Sequence, residues 1–241
     1  MMEKTNYITK YIPNILTILS LTSGFSSIRF SMEEKWEIAI YLILLASVFD
    51  FFDGWFARKL NKDSNFGAEL DSLSDFVSFG VAPSILVFLW STSSLGSIGW
   101  GITLFFVICS ALRLARFTAD IYITNKPIDH NEYFTGVPSP AAAGLILLPV
   151  LIFFEFEFSI LSNEYLNLLN CIVIGFLMIS KIPTISIKNI NIKSKYNPWI
   201  LLLLIIICIG LVSKLWLTLI ILFIIYIVSI FYTIYKNRTA S

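Results

Sequence analysis

The chain has 241 residues, of which 57% are hydrophobic and 14% charged, with a formal net charge of +1. A mean hydropathy of +0.81 and a charge content well below the roughly 25% of soluble domains exclude a single soluble core, which would leave large apolar patches in water. The net charge says little about partners, and no basic tract points to nucleic acid, so no nucleic-acid partner is expected. Cys109, Cys171 and Cys208 lie too far apart for a metal-binding cysteine pair and read as buried apolar residues.

The first apolar run begins near Tyr11 with no small-residue cleavage site behind it, so it reads as a span rather than a removable signal. Hydropathy predicts eight helices of roughly 17–25 residues, the length a bilayer requires. They run over 12–30, 36–57, 67–90, 96–118, 137–154, 163–182, 197–212 and 215–235. Only Ser213 and Lys214 separate the last two, which predicts a tight hairpin. The fold class is therefore an all-α polytopic membrane bundle, with a core over 1–183 and a cytoplasmic linker plus C-terminal hairpin over 184–241.

Positive charge orients the bundle. With the N-terminus in the cytoplasm, only Arg29, Lys35 and Lys214 of the 17 basic residues fall on the opposite side. The link around Ser91–Gly99 carries no charge, and the one near Glu155, Glu157 and Glu164 is acidic. The expected topology is N-in and C-in, in the cell membrane.

Spans two and three carry the unusual feature. From Asp50 the chain reads DFFDGWFARKLNKDSNFGAELDSLSD. At about 100° per residue, Asp50, Asp53, Gly54 and Ala57 share one helical arc, with Arg58 at its margin. Gly67, Asp71 and Asp75 form an i, i+4, i+8 stripe on the next helix. The connection between the two is short, so the helices are antiparallel neighbours and their acidic faces can meet near the cytoplasmic surface. Each carboxylate within a span costs about 2.5–3.5 kcal/mol at the helix centre, and four converging ones repel one another. A hard divalent cation removes the conflict, and oxygen-only ligands favour Mg2+, Mn2+ or Ca2+ over zinc. One such aspartate would be read as a helix cap; four in register are not.

The small residues Gly54, Ala57 and Gly67 leave room for a flat or bulky ligand, or simply let helices pack closely. Arg58 suits bidentate phosphate contact and equally the role of a snorkelling anchor. Cations, an arginine and a small-residue slot together describe a diphosphate site, in which a remaining carboxylate accepts a proton from an attacking hydroxyl.

Span four ends in Ala111-Leu-Arg-Leu-Ala-Arg-Phe-Thr118, with Arg113 and Arg116 on one face. They can bind the carboxylate of an amino-acid acceptor or a lipid phosphate, or reflect the positive-inside bias alone. The polar stretch 120–133 holds the single histidine, His130, read as a solvated loop residue. Gly136 and the prolines of Phe134-Thr-Gly-Val-Pro-Ser-Pro-Ala-Ala-Ala-Gly144 punctuate the start of span five.

The pattern Asp50-x2-Asp53-Gly54-x2-Ala57-Arg58-x8-Gly67-x3-Asp71-x3-Asp75 resembles the signature of the CDP-alcohol phosphotransferases at every defined position. The resemblance covers roughly the first 180 residues, a six-span core, and leaves the last two spans outside. It implies a membrane homodimer and a site for two ions, usually Mg2+ or Mn2+. It implies Asp50, Asp53 and Asp71 as metal ligands, Asp75 as both ligand and general base, and Gly54, Ala57, Arg58 and Gly67 beside the CDP-lipid. The Leu-Arg-Leu-Ala-Arg-Phe segment and the Phe-x-Gly-x-Pro-x-Pro-Ala-Ala segment look like the branch that makes phosphatidylserine from CDP-diacylglycerol and L-serine with release of CMP. Arg113 and Arg116 are then expected to bind acceptor or lipid phosphate. Thr118 stands where that branch commonly has Asn. Asn14 and Thr17, in Pro-Asn-x-x-Thr, are candidates to face the donor, although helix-start signals account for Pro13 and Asn14 as well.

Three other readings compete. The first is the same chemistry with glycerol 3-phosphate as acceptor or an ether-lipid donor. A cation transporter would set its carboxylates near the midplane, often on broken helices. A non-catalytic scaffold has no need of four aligned aspartates.

Overall fold

The computed structural model describes residues 2–59, 65–124, 134–180, 183–184 and 197–240. His130 and residues 185–196 of the expected linker lie outside them. The elements in chain order are α1 (Met2–Met32), α2 (Trp36–Lys59), α3 (Asn65–Asp75), a π-helical turn (Phe76–Val81), α4 (Ala82–Trp90), α5 (Ser97–Thr124), α6 (Ser139–Phe156), α7 (Glu164–Ile179), α8 (Asn197–Ser213) and α9 (Leu215–Ala240). Two-residue strands β1 (Phe134–Thr135) and β2 (Pro183–Thr184) pair antiparallel.

Six segments are long and apolar enough to cross a membrane: Tyr11–Met32, Trp36–Lys59, Asn65–Trp90, Ser97–Ala119, Ser139–Phe156 and Leu215–Tyr235. Two further apolar helices, α7 and α8, stand where hydropathy predicts two more crossings but are shorter, at 16 and 17 residues. The chain is thus an all-helical, multi-pass membrane bundle. Cys109 and Cys171 are buried as expected, whereas Cys208 is exposed on the outer side of α8. An apolar thiol facing lipid has no need of a protein contact.

Helix contacts are built from small residues, because lipid gives no hydrophobic drive for association and close backbone approach must supply it. Along α1, Ser20, Ser23, Ser27 and Ser31 are buried. Ser20 Oγ donates to the Ala46 carbonyl of α2 at 3.0 Å. Ser78 Oγ donates to the Ser20 carbonyl at 3.2 Å, and a Cβ on Gly24 would collide with Ser78. These contacts fix α1 between α2 and the third span.

Pro13 lies inside α1, and two other prolines each have a local remedy. Pro149 has no N–H for the Leu145 carbonyl; Asn170 Nδ2, from α7, donates to that carbonyl at 3.1 Å. In a membrane such a carbonyl has no water to turn to. Near Pro83 the third span widens instead. The Ala82 N–H donates to the Val77 carbonyl, five residues back, closing the π turn. The third span is therefore not one straight helix, and the irregular turn begins on the residue after Asp75. Wide turns of this kind concentrate at functional sites.

At the end of the bundle away from the aspartates, Asn167 is fully buried. Its Nδ2 reaches Ser91 Oγ at 3.1 Å and the Leu161 and Asn163 carbonyls at 2.8 and 3.0 Å. This one side chain ties two loops together. The C-terminal hairpin is not peripheral: Leu219, Ile220 and Ile230 of α9 belong to the buried core. Trp216 stacks on Tyr41 at 5.2 Å, and Gly144 of α6 leaves room for the Phe223 ring.

Candidate active site

The acidic faces of α2 and α3 meet. One carboxylate oxygen from each of Asp50, Asp53 and Asp71 lies within 4.8 Å of the other two. The i, i+3 spacing puts Asp50 and Asp53 on one face of α2, and α3 presents Asp71 across from them. Asp75, one turn further along α3, lies beside Asp50. Its Oδ1 is buried and has no hydrogen-bond partner among the described residues. Asp53 is only 5% exposed.

The first helix supports this cluster from behind. Thr17 Oγ1 lies 2.7 Å from Asp53 Oδ2 and donates to it; the Pro13 carbonyl, at 3.0 Å, is the competing acceptor. Ser74 Oγ donates to the Thr17 carbonyl at 3.2 Å, fastening α3 to the same turn of α1. Thr17, expected to face the donor, contacts a cluster carboxylate. Its signal in the sequence was a hydroxyl one turn after a helical proline, which did not identify the partner.

Among the described residues, the ion pairs are those of Glu33 with Arg29 and Lys35, in the turn between α1 and α2. None neutralises the aspartates. Arg58 and Arg113 act on them only at longer electrostatic range. Several carboxylates in a low-dielectric bundle without paired cations are costly. A partnerless buried oxygen on Asp75 adds to that cost. The oxygen-only donor set fits a hard divalent cation held by Asp50, Asp53 and Asp71, with Asp75 alongside.

The small-residue slot lies next to the cluster. The Arg58 guanidinium folds back over Gly54, where a Cβ would stand 3.2 Å from Nη1. Ala57 and Gly67 are half-buried, and Arg58 itself is exposed. Lys59 sits over the Trp55 ring at 4.5 Å, marking the membrane-surface end of α2.

Arg113 and Arg116 make their hydrogen bonds to different neighbours. Arg113 is half-buried and donates from Nη1 to Ser139 Oγ at 2.9 Å, at the start of α6. It lies within electrostatic reach of Asp75. Arg116 is exposed and donates to the Ile179 carbonyl at 3.2 Å, closing the end of α7. The i, i+3 spacing put them on one side of α5 but could not show that this side meets two different neighbours. Gly136 has φ +83°, and a Cβ there would strike the Met178 and Ser180 carbonyl oxygens. The Val137 N–H donates to the Leu177 carbonyl at 3.3 Å. The glycine–proline segment thus works as a bracket that sets Ser139 against Arg113. Thr118 shares a 3.2 Å hydrogen bond with Ser72. Both line an open cavity of about 470 Å³ between α3 and α5, with Glu69, Leu73, Phe76 and Leu114.

Residues 10–178 match the family model for CDP-alcohol phosphatidyltransferase. The chain belongs to that family. It is 33% identical over 185 residues to a protein of Mycobacterium leprae named CDP-diacylglycerol–serine O-phosphatidyltransferase, covering 77% of this chain and 61% of the relative. A Helicobacter pylori protein of the same name is 36% identical over 179 residues, covering 74% and 73%. An archaetidylserine synthase of Methanothermobacter thermautotrophicus is 39% identical over 140 residues, covering 56% and 57%. The matched region thus spans less than two thirds of the mycobacterial relative. The four aspartates fall inside the matched region, and all of α8 and α9 falls outside it.

Proposed function

We propose that the chain transfers a phosphatidyl group from CDP-diacylglycerol to the hydroxyl of L-serine, giving phosphatidylserine and CMP. The observation that carries this reading is the convergence of three aspartate oxygens within 4.8 Å in a chain of this family. The names of the bacterial relatives support serine as the acceptor.

In this reading Asp50, Asp53, Asp71 and Asp75 would hold two ions, Mg2+ or Mn2+, and bound ions there would supply polarisation of the phosphoryl oxygens and charge stabilisation for the leaving group. Arg58 binds the donor diphosphate, and Gly54, Ala57 and Gly67 leave room for the cytidine. Asp75 accepts the serine hydroxyl proton. The serine oxygen forms a bond to the lipid-linked phosphorus as the bond from that phosphorus to CMP breaks, and CMP leaves with the bridging oxygen. Arg113 and Arg116 bind the acceptor carboxylate or a lipid phosphate. The enzyme works as a homodimer in the cell membrane, with both termini and the active site on the cytoplasmic side. Residues 1–183 form the catalytic core, and 184–241 the linker and hairpin.

The test is CMP release by the purified full-length protein in detergent, with CDP-diacylglycerol, Mn2+ or Mg2+ and labelled acceptors. Release with L-serine and its loss on chelation are expected. No release with any acceptor would sink the enzyme reading, and release with glycerol 3-phosphate but not serine would sink the acceptor assignment. The archaeal relative's name favours a second reading for the donor, an ether lipid. A CDP-activated ether lipid in the same assay decides between the two.

A further inference from the structure

The cavity between α3 and α5 has a chemistry of its own. At about 100° per residue, its α3 lining residues Glu69, Ser72, Leu73 and Phe76 centre roughly 150° around the helix from Asp71. It therefore opens on a different face from the one that meets α2. Opposite, Ala111, Ala115 and Ala119 recur every four residues along one face of α5. Their small side chains leave a space of about 470 Å³, a size that suits a small-molecule site. The two spans end at Asn65 and Ala119, so the cavity starts near the membrane surface and runs inward. Seven or eight residues of helix give it a length of about 10–12 Å.

Its lining is graded along that length. The exposed Glu69 stands nearest the span ends, and Ser72 and Thr118 follow. Deeper in, the walls are Phe76 and Leu114, with Leu73 on the open side. The hydroxyl protons are directed inward: Ser72 Oγ reaches the Ala68 carbonyl and Thr118 Oγ1 the Leu114 carbonyl, each at 3.0 Å. The two oxygens also lie 3.2 Å from each other. Two protons serve three contacts, so these hydroxyls offer a ligand lone pairs, as the Glu69 carboxylate does. No lysine or arginine is among the described lining residues. This polar end accepts N–H groups of a cation and repels phosphates. A CDP-activated lipid, which leads with a diphosphate, is a poor match. The apolar depth is a poor match for a free amino acid.

We propose that this cavity binds a bilayer phospholipid with a primary-ammonium headgroup and no net charge. The ammonium sits at Glu69, Ser72 and Thr118, and a hydrocarbon chain lies along Leu73, Phe76 and Leu114. The site is separate from the carboxylate cluster and does not depend on which alcohol is the acceptor.

The test is a lipid titration of the purified full-length protein in detergent, read by native mass spectrometry as lipid bound per chain. Four lipids share acyl chains and differ in headgroup. Phosphatidylethanolamine has the primary ammonium, phosphatidylcholine has no N–H, phosphatidylserine adds a carboxylate, and phosphatidylglycerol has no cation. Phosphatidylethanolamine should bind at least five-fold more tightly than each of the others. Ala115→Trp fills the cavity from its exposed side and should abolish that preference. Glu69→Gln should reduce it to two-fold or less, with the melting temperature unchanged. Equal binding of phosphatidylcholine, or tighter binding of either anionic lipid, would overturn the proposal. So would a preference that survives in either folded variant, because the lipid then sits elsewhere. Dimers that lose phosphatidylethanolamine while monomers keep it would assign the cavity to a second copy of the chain and overturn it too. If Ala115→Trp does not fold, Glu69→Gln, at an exposed side chain, decides alone.

Discussion

Replacing Thr17 by valine removes the hydroxyl that reaches Asp53 Oδ2 at 2.7 Å. It keeps the β-branched shape of a side chain that is 3% exposed. A hydrogen bond to a charged group contributes about 1.5–3 kcal/mol, and about 1.4 kcal/mol is a factor of ten. The valine variant leaves Asp53 with one fewer donor, so its carboxylate is less well oriented toward Asp50 and Asp71. Groups that orient metal ligands in this way typically control about 10- to 100-fold of metal affinity. The expected outcome is a rise of that size in the Mn2+ concentration giving half-maximal CMP release, with most of kcat recovered at saturating metal. Thr17→Ser keeps the hydroxyl and should stay near wild type. A metal titration that is the same for the valine variant and wild type would refute the reasoning, because the bond to Asp53 would then have no bearing on metal binding.

Three further outcomes are expected. Asp75→Asn removes the proposed base, so kcat should fall by about 10²–10⁴-fold while calorimetry still detects Mn2+ binding; normal turnover would remove Asp75 from that role. Gly144→Ala puts a methyl group against the Phe223 ring and should destabilise the protein by about 1–3 kcal/mol, seen as a lower melting temperature; adding Phe223→Leu should recover part of the loss. Gly136→Ala places an L side chain at φ +83°, which costs about 1–2 kcal/mol, and also against two carbonyl oxygens. Its effect should appear in KM for serine, through the displaced Ser139, with metal activation unchanged.

Much of the bundle was legible because bilayer thickness imposes one length on every crossing. The α2–α3 cluster was legible because helical spacing brings Asp50 to Asp53 and aligns Asp71 with Asp75, and a short connection makes the two helices neighbours. The break after Asp75 was not read, although Pro83 was in plain view. A proline can be absorbed by a kink, by a side chain such as Asn170, or by a wide turn, and local sequence does not choose among them. Arg113 and Arg116 were grouped because spacing reports the face of a helix and says nothing about what that face touches.

The π turn at Phe76–Val81 uncouples the two halves of the third span. In an uninterrupted helix, each inserted or deleted residue rotates everything beyond it by about 100°. A wide turn already holds surplus backbone, so a one-residue deletion there can revert to ordinary helix while α3 keeps its grip on α1. The other half, α4, which packs in the core, can then be re-phased against its neighbours without moving Asp71 and Asp75. Variation in membrane thickness or in packing partners can thus be met in α4, while the carboxylate geometry on the other side of the turn stays constant.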